Sequence, residues 1–224
     1  MSEKVWDAVD DFIAGHLVED DAALQAALEA SEAAGLPSIN VAPNQGKLLM
    51  LLARAVGARK ILEIGTLGGY STIWLARGLA PGGHLVTLEV NPAYAETAGA
   101  NIARAGLAEA AELRVGRAHD SLAALAAEGA GPFDLVFIDA DKPGTPDYFL
   151  WAVRLARQGS LIVVDNVVRE GAILEGTSED ASVQGMRRFF ELAATDPRVS
   201  GTAIQTVGHK GHDGLAILLV TAAP

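Results

Sequence analysis

Ile61-Leu62-Glu63-Ile64-Gly65-Thr66-Leu67-Gly68-Gly69-Tyr70-Ser71 reads as an apolar strand that runs into a glycine turn and then into a helix. From Lys60 onward, runs rich in Val, Ile and Leu alternate with longer Ala-rich segments, the pattern of βαβ units around a buried parallel sheet. Strands are expected near residues 60–65, 84–90, 111–116, 133–139 and 159–165. Helices are expected over Ser71 to Leu79, Pro92 to Ala105, Ser121 to Glu128 and Pro146 to Arg157. Pro92 suits a first helical turn, because the N–H it lacks would have no partner there, and Gly106 suits the position just past a helix end.

The flanks depart from this alternation. Before Lys60 the chain reads as helical: Trp6, Val9, Phe12 and Ile13 fall on one helical face, and a second helix is expected from Asp21 to Ala34. After Arg198, the runs Thr202 to Val207 and Leu215 to Thr221 read as strands of a hairpin around the loop Gly208 to Gly214, antiparallel and appended to the parallel sheet. Residues 1–224 are therefore expected to form one α/β domain, with residues 1–58 a helical segment packed on or swapped over the core. Without Cys, disulfides, thiolate metal sites and a cysteine nucleophile are excluded. The N-terminal residues lack the form of a secretory signal and no apolar run is of membrane-spanning length, so a cytoplasmic protein with no membrane partner is expected. A net charge of −11 disfavours nucleic acid as a partner and favours a small molecule.

Open α/β sheets bind ligands beyond the C-terminal ends of their strands, which is where Gly65, Gly68 and Gly69 fall. The spacing is not the dinucleotide Gly-x-Gly-x-x-Gly, since Leu67 stands two residues after Gly65. Glu89 ends the next strand, where a carboxylate can accept from both hydroxyls of a ribose, whether of NAD or of another adenosyl cofactor. A tight turn with Glu89 merely solvated is the plain alternative. Two more strand ends carry Asp139 and the pair Asp165-Asn166, a hard all-oxygen set suited to Mg²⁺, or to Mn²⁺ or Ca²⁺. His16, His84, His119, His209 and His212 have no zinc spacing. Asp141 reads equally well as a helix cap. Lys142, a solvated loop charge in most settings, becomes a candidate general base beside a cation.

In this order, Leu62-Glu63-Ile64-Gly65, Gly68-Gly69-Tyr70-Ser71, Leu88-Glu89, Asp139-Ala140-Asp141-Lys142 and Asp165-Asn166 resemble the cation-dependent O-methyltransferases of the catechol and caffeoyl-CoA type, over about residues 38–221. The resemblance implies a Rossmann-like class I methyltransferase fold, a seven-stranded, mostly parallel sheet with its last strand antiparallel. It implies S-adenosyl-L-methionine as cofactor, contacted by Val41, Glu63, Gly65, Ser71, Glu89, Ala118, His119 and Asp139. By the same resemblance Asp139, Asp165 and Asn166 are the metal ligands, and Lys142 with Asp139 is catalytic. The segment Val41-Ala42-Pro43-Asn44-Gln45-Gly46 resembles the loop before the family's first main helix. Relatives are often dimers, so a homodimer using the apolar N-terminal helices is expected.

The chain departs from the family where Pro143-Gly144-Thr145-Pro146 replaces a more aromatic run, with Tyr148 matching only the second aromatic position. Gly211-His212-Asp213-Gly214 offers no evident equivalent of the late acidic residue that animal catechol enzymes place against substrate. Arg169 and Glu170 lie within reach of a substrate but read as an exposed charge pair. The expected activity is methyl transfer to a hydroxyl of a catechol-like or vicinal-dihydroxy small molecule. The residues alone leave two alternatives: an NAD(P)-dependent oxidoreductase, and a non-catalytic adenosyl-ligand binding protein.

Overall fold

In the computed structural model, which describes residues 3–19 and 21–222, three helices precede the sheet: α1 (Glu3–Leu17), α2 (Ala22–Ala33) and α3 (Pro43–Ala55). The alternating region follows as β1 (Lys60–Ile64), α4 (Tyr70–Arg77), β2 (His84–Glu89), α5 (Pro92–Arg104), β3 (Ala111–Val115), α6 (Ala118–Ala127), β4 (Phe133–Ile138), α7 (Thr145–Leu155) and β5 (Ala156–Asp165). The chain closes with α8 (Ala181–Thr195), β6 (Val199–Gly208) and β7 (Gly211–Val220). The strands form one sheet in the order β3-β2-β1-β4-β5-β7-β6. Only β7 runs against the rest, antiparallel to both β5 and β6. Among the described residues no helix is long and apolar enough to cross a membrane.

Alternation along the strands divides the core. Leu62, Ile64, Val136 and Ile138 face one layer with Phe149 and Phe189 of α7 and α8, whose rings meet edge to face at 5.5 Å. Ile61, Leu85, Leu135 and Phe137 face the other, with Leu49 of α3 and Ile73 of α4. Burial of both faces explains the near-continuous apolar strands. The strand order reverses between β1 and β4, so the crevice opens at their C-terminal ends. There the Asp139 N–H donates to the Ile64 carbonyl at 2.9 Å, joining the end of the glycine strand to the end of the acidic strand.

Four expectations need correction. The C-terminal hairpin is tighter than a seven-residue loop: β6 and β7 pair down to Gly208 and Gly211, leaving only His209-Lys210 at the tip. Positive φ at Gly211 permits that turn, and the polar residues His212 and Asp213, which read as loop, are strand residues. β5 begins directly after α7, and its pairing with β4 skips across Arg157–Ser160, an irregularity that reads locally as a helix end. α6 starts three residues early, placing Ala118 and His119 in its first turn. The expected apolar face of α1 is split, since Val9 and Phe12 are exposed. Instead α1 is seated by buried Asp10, which accepts from the His209 N–H at 3.0 Å and from Asn44 Nδ2 at 2.8 Å. Beyond these, α8 carries its own start signal in Asp180, which accepts from Ser182 N–H at 2.7 Å.

Gly65 holds φ +103°, and a Cβ there would overlap the backbone of Asp139. Gly65→Ala is therefore expected to destabilise the protein by at least about 2 kcal/mol. Urea unfolding of the variant beside the parent checks this.

Candidate active site

One cavity of about 1410 Å³ opens at the crevice, large enough for two ligands side by side. The glycine turn forms one wall. Glu89, nearly buried, accepts from the N–H groups of Thr66 at 3.3 Å and Leu67 at 2.9 Å through one oxygen, and from Asn91 N–H at 2.9 Å through the other. Its carboxylate thus fastens the turn to the end of β2 while still lining the cavity. Val41, Gly65, Ser71, Ala118 and His119 also line it. His119 lies 3.4 Å from Asp147 and stacks obliquely near Tyr148.

Glu63 is placed differently. It is fully buried beneath the turn, accepting hydrogen bonds from Ser71 Oγ at 2.6 Å, from Thr87 Oγ1 at 2.7 Å and from Thr72. It does not line the cavity, so its direct effect is on the first turn of α4. Burial pushes its carboxyl up to about 7, although the three hydroxyls favour the anion. A folded-state value above the ordinary 4.5 means that the folded chain keeps a proton the unfolded chain sheds as pH rises between about 4.5 and 7. Stability from this group therefore falls across that window and stays low above it. Glu63→Gln is expected to flatten that decline, which thermal unfolding at about pH 5 and about pH 8 measures.

The acidic end is more crowded. Asp139 Oδ1 accepts from Lys142 Nζ at 2.7 Å, and both side chains are largely sequestered. Asp165 Oδ1 accepts from the Asn166 N–H at 2.7 Å, and Oδ2 from Gln45 Nε2 at 2.7 Å. Burial, and then the charge of Asp139, push the Asp165 carboxyl up to about 7, against the opposing charge of Lys142. Asn166 has φ +58°, a left-handed conformation that asparagine tolerates better than most residues. The structure therefore brings Asp139, Lys142, Asp165 and Asn166 together in the same cavity as the glycine turn. Among the described residues no group of three His, Cys, Asp or Glu has metal-site geometry. Two carboxylates and an amide are nevertheless a fitting set for a hard cation that keeps waters and substrate oxygens in its shell.

Several contributors escaped the sequence reading. Gln45, at the start of α3, stands in the Val41 to Gly46 segment, whose resemblance gives it no role of its own. Asp213 accepts from the N–H groups of Val168, Arg169 and Gly214 with one oxygen, at 2.9, 3.0 and 2.9 Å, tying the segment after Asn166 to β7. Asp141 takes the capping role, accepting from Gly144 N–H at 3.0 Å and Tyr148 Oη at 2.6 Å. Arg169 and Glu170 do not form an exposed pair. Arg169 is partly buried, lines the cavity, and its buried Nε has no hydrogen-bond partner.

Residues 15–218 match the model of the O-methyltransferase family. The chain belongs to that family. A catechol O-methyltransferase from Mycobacterium tuberculosis is 56% identical over 95% of this chain and 94% of its own length. One from Niastella koreensis is 49% identical over 98% of this chain and all of its own. The crystal structure of an O-methyltransferase from Bacillus cereus in complex with SAH superposes with a TM-score of 0.97, at 52% identity, over 98% of this chain and all of that one. The S-adenosylmethionine-dependent O-methyltransferase reading and the class I fold hold, and the two alternatives left open by the residues fall away.

Proposed function

We propose that the enzyme methylates one hydroxyl of a catechol-like or vicinal-dihydroxy small molecule, using S-adenosyl-L-methionine and Mg²⁺, with Mn²⁺ or Ca²⁺ as substitutes. The observation that carries this reading is the sequestered Asp139–Asp165 pair beside Lys142, in one cavity with the glycine turn. Names of the relatives, two of them catechol O-methyltransferases, support the substrate class. The cofactor supplies an electrophilic methyl on a sulfonium sulfur. Mg²⁺, held by Asp139, Asp165 and Asn166, would supply the positive charge that acidifies a diol and fixes its orientation.

The chain's own residues do the rest. Gly65 lines the cavity at the end of β1 and lets the turn pass against the Asp139 backbone, and Glu89 holds the turn and offers acceptor oxygens to a ribose. Val41, Ser71, Ala118 and His119 complete the cofactor side, with Glu63 positioning Ser71 from below. Gln45 keeps Asp165 aimed into the cavity. Lys142 Nζ stands where it can take or hold the proton of the attacking hydroxyl, and Asp139 fixes its position. Because an anionic oxygen joins a cationic donor, the reaction is favoured by an enclosed site poor in water. Exposed Val9 and Phe12 on α1, with Ile204 and Val207 on the edge strand β6, support a homodimer.

Methyl transfer from labelled S-adenosylmethionine to catechol and to phenol tests the reading. Catechol is expected to be turned over and phenol not; equal rates on both would remove the requirement for adjacent hydroxyls.

A further inference from the structure

Three cations in the cavity wall have no part in the proposed reaction: exposed Arg117, which precedes α6 on the cofactor side, and Arg169 and Lys210. Arg169 lies three residues beyond Asn166, at the acidic end. Its backbone is left-handed, with φ +55°, and is pinned by the Asp213 carboxylate through its N–H. The guanidinium forms no ion pair with a described carboxylate, and its Nε is buried without a partner. Lys210 occupies the two-residue tip of the β6–β7 hairpin, which α1 clamps through Asp10 to the His209 N–H and through Asp11 to the His209 ring at 2.9 Å. Its ammonium is also without an ion pair among the described residues and donates only to the Ser38 carbonyl, at 3.2 Å. Lys210 lines the same cavity as Arg169, together with Asp139 and with Asp213 of its own hairpin.

In a chain of net charge −11, with carboxylates in excess, a partly buried guanidinium in a cavity wall without a carboxylate of its own is unusual. A desolvated guanidinium nitrogen without a partner is unfavourable until a ligand supplies the acceptor. Both side chains are carried by fastened backbone, Arg169 partly buried and Lys210 exposed at the hairpin tip. A planar carboxylate is the group that a guanidinium and a neighbouring ammonium hold best.

We propose that Arg169 and Lys210 form a carboxylate-binding subsite, so that the preferred acceptor is an aromatic vicinal diol carrying a carboxylate, such as a dihydroxybenzoate or dihydroxycinnamate. This rests on the proposed function and names the substrate class within it. The two residues determine specificity; neither touches the reacting atoms.

The experiment compares 3,4-dihydroxybenzoate with its methyl ester, which keeps the diol and removes the charge. With the parent enzyme kcat/KM is expected to favour the acid by about tenfold, mainly through KM. Lys210→Met and Arg169→Met are each expected to cut that ratio about tenfold, while Lys210→Arg largely retains it. Following the ratio in parent and variants cancels the electronic difference between acid and ester. An ester turned over as well as the acid, a preference for dopamine over both, or a ratio unmoved by either Met variant would overturn the subsite. Should no diol be methylated, the proposed function fails, and equilibrium binding of the acid and the ester, with S-adenosylhomocysteine and Mg²⁺ present, decides the subsite separately. Tighter binding of the acid that is lost in Lys210→Met upholds it; equal affinities overturn it.

Discussion

Asp165→Asn is expected to reduce kcat/KM by about 10³-fold or more while leaving the fold intact. The substitution keeps shape and an oxygen for Gln45 Nε2, now 2.7 Å from the carboxylate, but removes one of two charges that would hold the cation. Loss of Lewis-acid stabilisation costs several kcal/mol in the transition state, and each about 1.4 kcal/mol is tenfold in rate. Stability should move the other way. Asp165 is pushed up to about 7 by burial and by Asp139, so in metal-free protein its contribution to stability falls as pH rises from about 4 to 7. The asparagine variant, measured metal-free by thermal unfolding above pH 7, is expected to be at least as stable as the parent. A variant that is inactive because it is unfolded would not meet both expectations.

Lys142→Met is expected to lower kcat by about 10²–10³-fold, the range of a positioned proton acceptor, with little change in cofactor affinity. Lys142 also offsets the negative charge of Asp139 at 2.7 Å, so loss of activity alone does not separate base from counter-ion. Lys142→Arg separates them. A guanidinium keeps the ion pair but does not release its proton near neutral pH. Activity is therefore expected to stay low in the arginine variant; recovery to within about threefold of the parent would assign Lys142 an electrostatic role only.

The parts of this molecule most legible in its sequence are those where backbone and side chain make the same demand. β1 and its glycine turn are one example, since the apolar run requires burial on both faces and Gly65 requires a residue without Cβ beside Asp139. Asp139 and Asp165-Asn166 were legible because each ends an apolar strand, and parallel strands put such ends on one edge. Contributors that reach the site from distant segments left little trace. Gln45, Asp213 and Lys210 are ordinary polar residues until α3 and the hairpin are folded against β5. Glu63 shows the converse: its position at a strand end was readable, but alternation along β1 turns it toward Ser71 and Thr87 rather than into the cavity. His212 and Asp213 read as loop because their polarity resembles a turn, whereas Asp213 is kept in β7 by the three backbone N–H groups it satisfies.

The central claim is that the Asp139–Asp165 end of the cavity works by holding a divalent cation against a vicinal diol. Its most direct test is methyl transfer from labelled S-adenosylmethionine to catechol by enzyme stripped of metal with EDTA and then resupplied. Turnover is predicted to vanish in the stripped enzyme and to return with Mg²⁺, and to return far less in Asp165→Asn. Undiminished turnover in a rigorously metal-free preparation would contradict the account.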